Sequence, residues 1–88
     1  MIEQLKSMDK GLKAFICKKI FEERIGLKNE IVHEGIVSGF DEQDILNGLN
    51  IFLYNELITI PVTPHLVSNN DIFINDSKFN ELKFNGYL

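Results

Sequence analysis

Three helices followed by a small antiparallel β-hairpin, an α+β arrangement, are what this chain is expected to form. Three features lead there. Apolar residues recur at helical spacing in three successive segments between Asp9 and Leu57, each bounded by a residue suited to a helix end. Two short β-branched runs follow, at 57–62 and 71–75. The turn-forming trio Ser68-Asn69-Asn70 separates them.

The first helix is expected from Asp9 to Gly26. Asp9 can accept hydrogen bonds from the free amides of the opening turn, and Gly26 can adopt the left-handed conformation that ends a helix. Leu12, Phe15, Ile16 and Ile20 share one face, while Ala14, Cys17, Phe21 and Ile25 form a second apolar stripe on another. A helix apolar on two sides is either surrounded or shared with a partner. The second stripe is a candidate contact face for a homodimer.

The second helix is expected from Asn29 to Ser38, capped by Asn29, with Ile31, Val32 and Ile36 buried and Gly39 as its stop. Gly35 and Gly39 are read as sites of close helix packing. Asp41 opens the third helix. It caps the helix, and Glu42 and Asp44 sit in the first turn, where the positive end of the helix dipole favours carboxylates. Ile45, Leu46, Leu49, Phe52, Leu53 and Leu57 supply a core-facing stripe, which leaves Asn47, Ile51 and Tyr54 pointing outward.

Leu57 to Val62 has the β-branched content of a strand, and Pro61 restricts it to a sheet edge or ends it. Asp71 to Asn75 makes the second strand. The tail from Ser77 to Phe84 suits a short helix capped by Ser77 or a third strand; Phe79, Leu82 and Phe84 do not decide between them.

With 88 residues and 10.1 kDa there is room for one domain, spanning 1–88. A hydrophobic content of 44% and a charged content of 25% are globular values and argue against disorder. No apolar run is long enough to cross a bilayer, and the N-terminus shows no basic segment leading into an apolar block. Cys17 is the single cysteine, which points to a reducing compartment, so the expected location is the cytoplasm.

The stretch Ile36-Val37-Ser38-Gly39-Phe40-Asp41-Glu42-Gln43-Asp44-Ile45-Leu46-Asn47-Gly48-Leu49 resembles the helix-turn-helix of winged helix domains. The following Phe52-Leu53-Tyr54-Asn55-Glu56-Leu57-Ile58 is similar to the end of that family's third helix entering its sheet. The resemblance runs from about Gly11 to Asp76 and rests on a pattern of apolar positions. It implies a third helix that enters the major groove and a hairpin that touches flanking backbone.

Such a use of the third helix needs cations, because phosphate neutralisation supplies much of the affinity. No Lys or Arg lies between Lys28 and Lys78, whereas Glu30, Glu34, Asp41, Glu42, Asp44, Glu56, Asp71 and Asp76 do. The net charge of the whole chain is -4. The attraction that would bring the third helix to DNA is therefore missing, although Gln43 could read adenine.

No catalytic constellation is visible, and no cofactor or metal is expected. His33-Glu34 begins like a zinc-protease motif, but Val37 stands where its second histidine would be. His65 follows Pro64 at an unrelated spacing, and Cys17 sits on an apolar stripe that suits a buried small hydrophobe. Asp41 and Asp44 are helix-start carboxylates without a convergent base.

The expected function is that of a non-catalytic regulatory or accessory protein. Its partner is another protein, met through an acidic surface of the second and third helices with Glu42, Asp44, Asn47, Ile51 and Tyr54 as the contact set. One version imitates the charge of DNA and occupies a nucleic-acid-binding protein. The alternative is a DNA-binding winged helix protein, probed through Lys10, Lys13, Lys18, Lys19, Arg24, Lys78 and Lys83 contacting phosphates, with dimerisation joining two such patches.

Overall fold

A computed structural model describes residues 2–60 and 71–88. In chain order these form α1 (Ile2–Ser7), α2 (Lys10–Cys17) continued by a π-helical segment over Lys18–Glu22, α3 (Lys28–Val37) and α4 (Glu42–Tyr54). Then come β1 (Ile58–Thr59), β2 (Phe73–Ile74) and α5 (Asp76–Phe84). The α+β arrangement is thus present: α2, α3 and α4 lead into an antiparallel pair, with one further helix at each end. Pro61, His65 and the Ser68-Asn69-Asn70 turn lie outside the described residues.

The cap at Asp9 forms as its sequence suggests, its carboxylate accepting from the Leu12 amide at 2.9 Å. The far end differs. Apolar positions 12, 16 and 20 repeat every four residues, so on a regular α-helix they would drift around the axis. The wider π turn offsets that drift, and Leu12, Ile16 and Ile20 all stay buried. Arg24, not Gly26, takes the left-handed conformation beyond the helix, with φ 59°. Gly26 is extended chain whose carbonyl accepts from the Ile72 amide at 2.8 Å, beside an antiparallel bridge between Leu27 and Asp71.

Leu27 rather than Asn29 is the residue before α3, and its own side chain makes no capping hydrogen bond. Ile31 and Gly35 form the buried face of α3; Val32 is half-buried and Ile36 is exposed. The reason is close approach at Gly35, where an added Cβ would lie 2.5 Å from Ile45 Cδ1. The glycine faces α4, and Ile36, one residue on, turns away. Gly39 plays no packing role, since nothing lies within 4 Å of its would-be Cβ. With φ +100° it closes a Schellman turn in which its amide donates to Ile36 and the Phe40 amide donates to Gly35, both at 3.0 Å.

Helix α4 is the centre of the molecule and packs on α1, α2, α3 and β1. Asp41 caps it, accepting from the Gln43 amide at 3.0 Å and the Asp44 amide at 3.3 Å. Ile45, Gly48, Leu49 and Phe52 are its buried face, joined beyond its end by Leu57 and Ile58. At Gly48 an added Cβ would lie 2.7 Å from Ile16 Cδ1 and 3.1 Å from Met8 Cε. That absent side chain lets α1 and α2 close on α4. It also moves the buried arc around the helix: Ile51 packs on the core, and Leu46 is only half-buried.

The two strands pair Ile58 with Ile74 and Thr59 with Phe73. The tail is a helix, and its cap is Asn75, not Ser77. Asn75 Oδ1 accepts from the Lys78 amide at 3.1 Å, while Nδ2 donates to the Glu56 carbonyl at 3.0 Å. One side chain thus starts α5 and ties it to the end of α4. Asn75→Ala removes both bonds, and a loss of about 1–2 kcal/mol in urea unfolding is the expected result. A loss below the error of that measurement would show that water replaces both.

Candidate functional site

The outward face of α4 is built by helical spacing alone. Gln43, Asn47, Asn50 and Tyr54 follow one another along it and all are exposed, Tyr54 at 59%. Gln43 Nε2 donates to Asn47 Oδ1 at 3.0 Å, which holds the two amides in a fixed relation. Glu42 and Asp44 stand exposed at the helix start, where the helix dipole favours their charge.

Of the five residues expected to contact a partner, four lie on this surface: Glu42, Asp44, Asn47 and Tyr54. Ile51 does not point away from the core. It is half-buried and floors a cleft of about 320 Å³ with Met8, Leu12, Phe40 and Gly48. Asp9, Asp44 and Asn47 also line that cleft. The correction enlarges the site: the acidic helix start and the amide face border a recess with an apolar floor. Sequence reasoning missed Met8 and Phe40 because each lies outside the helices that were read from periodicity. The end of α3, just before Phe40, also leaves Ile36 46% and Val37 74% exposed.

The seven cations of the DNA-binding alternative separate into two groups. Lys19 pairs with Glu23 and Glu34, each at 3.1 Å. Arg24 makes a bidentate pair with Asp76 at 2.6 and 2.9 Å, and Lys78 pairs with Glu81 at 2.9 Å. Hydrogen bonds to these carboxylates raise the pKa of Lys19, Arg24 and Lys78, and the Arg24 guanidinium lowers that of Asp76. Lys10, Lys13, Lys18 and Lys83 form the second group and line a groove between α2 and α5.

The apolar stripe Ala14, Cys17, Phe21 and Ile25 has a partner within the chain. Phe21 stacks on Phe79 of α5 with ring centroids 4.0 Å apart, and Cys17, Phe21 and Ile25 pack against the core. Only Ala14 is exposed. Burial pushes the Cys17 thiol up to about 11, which disfavours the nucleophilic thiolate.

No group of three or more potential metal ligands occurs among the described residues. No helix among them is long and apolar enough to cross a membrane. No protein family, curated protein or solved structure matches the chain.

Proposed function

We propose that this chain is a non-catalytic regulatory or accessory protein of winged helix type that binds another protein through α4. The order α2–α3–α4–β1–β2 supports the winged helix reading, as does the short turn from Ser38 to Asp41 between α3 and α4. The bridge between Leu27 and Asp71 adds a third extended segment beside the hairpin.

The observation that carries the binding reading is the cleft floored by Met8, Leu12, Phe40 and Ile51, with Asp9 and Asp44 in its lining. An apolar floor with carboxylates beside it suits a long basic side chain, whose methylenes pack below while its charge meets the acids. Arginine anchors of this kind recur at interface hot spots. A partner presenting such a residue is also what a DNA-charge-imitating surface would occupy. The DNA-binding alternative is weaker, because Lys19, Arg24 and Lys78 are held in internal ion pairs.

The test is a photo-crosslinking amino acid placed at Tyr54 in the producing cell, with Asn80 on α5 as the control position. A protein adduct of defined mass is expected at Tyr54 and none at Asn80. The Glu42→Lys, Asp44→Lys double variant should weaken that association by about 100-fold or more. Absence of any adduct, together with duplex-DNA binding that falls steeply with salt, would overturn the reading.

A further inference from the structure

The groove between the α2–π helix and α5 has a volume of about 590 Å³, within the usual range for small-molecule sites. Ala14, Cys17, Phe79 and Leu88 give it apolar walls. Lys10, Lys13, Lys18 and Lys83 line it as well, against one acidic side chain, Glu22. None of these four lysines makes an ion pair with a carboxylate among the described residues, although Lys19, Lys78 and Arg24 each do. Lys13 donates instead to the carbonyls of Leu5 and Tyr87, both at 3.1 Å, and Lys83 lies over the Phe79 ring at 5.7 Å.

Four lysines against one acidic side chain give the lining an excess of positive charge, which favours an anion there. Cys17, Lys18 and Glu22 belong to or adjoin the π turn, a feature that recurs at functional sites. An acid-poor, lysine-rich recess with apolar walls is complementary to one chemical class.

We propose that the groove between α2 and α5 binds a small amphipathic anion, an apolar tail carrying a single carboxylate or phosphate head. The tail lies along Ala14, Cys17, Phe79 and Leu88, and the head is met by Lys18 and Lys83. This site is separate from the protein-binding face of α4 and does not depend on it.

Dodecanoate and dodecyl phosphate, both below their micelle concentrations, are the probes, read by amide chemical shifts of the full chain. Saturable one-to-one shifts are expected at Ala14, Cys17, Phe79 and Leu88, and the stronger of the two probes identifies the head group. Dodecyltrimethylammonium should leave those amides unmoved. Ala14→Trp fills the groove from an exposed position and should abolish binding. The Lys18→Gln, Lys83→Gln double variant should weaken it by about tenfold or more, with thermal unfolding unchanged.

Failure of both anions to give saturable shifts would overturn the proposal. So would equal shifts from the cationic amphiphile, or affinity retained in the lysine variant. An acidic peptide or duplex DNA that moves the groove amides while neither probe does would assign the groove to a macromolecule and overturn it equally.

Discussion

Replacing Gly48 with leucine is expected to lower stability by about 3 kcal/mol or more, while Gly48→Ala stays within about 1 kcal/mol of the parent. The contrast follows from what surrounds the missing side chain. A Cβ alone would meet Ile16 Cδ1 at 2.7 Å and Met8 Cε at 3.1 Å, both far ends of flexible side chains that can shift. Alanine also relieves the roughly 1 kcal/mol penalty of glycine inside a helix. Leucine adds three more carbons where Met8, Leu12 and Ile16 already lie, and the α4–α2 contact must open. Urea unfolding of the two variants reads the difference. Equal stability would show that α4 is not held against α2 through this position.

The second large effect is expected at the other end of the chain. Leu5 is fully buried although it belongs to a helix of six residues, Ile2–Ser7. A helix that short has no independent stability, so α1 exists because Leu5 and Met8 are buried in the core beside α4. Leu5→Ala should therefore cost about 2–5 kcal/mol, a large part of the roughly 5–15 kcal/mol typical of a small domain. The midpoint in urea would fall with little change in slope. A loss of a few tenths of a kcal/mol would instead make α1 an appendage.

These two positions also mark the limit of what the amino-acid order reveals. Helix α4 was legible because its cap, its first-turn acids and its apolar spacing agree. The hairpin was legible because β-branched runs have few other uses. Helix α1 was not, since two buried residues in a short segment make no period. The Gly48 contact was not either, because periodicity treats a glycine as neutral when here it is a point of close packing. That contact rotates the buried face of α4 and brings Ile51 against the core. Helix ends were read through glycine, yet Arg24 and Glu56 adopt the left-handed conformation at φ 59° and 63°. Their neighbours, not their own preferences, impose it. The acidic helix start was visible in the sequence, but the cleft beside it needs Met8 and Phe40, which only folding brings together.

The place of Cys17 in the groove between α2 and α5 has a kinetic meaning. Cys17 is the chain's single thiol; it is half-buried in the lining of the groove between the π-extended helix and α5, and burial pushes its pKa up to about 11. A reagent that enters the groove meets a mostly protonated sulfur, and the thiolate is the reactive form. Air oxidation and covalent cross-linking of two chains are slow for the same reason. The rate at which a thiol reagent consumes Cys17 is thus a readout of that groove: whatever fills it covers the sulfur and slows the reaction further.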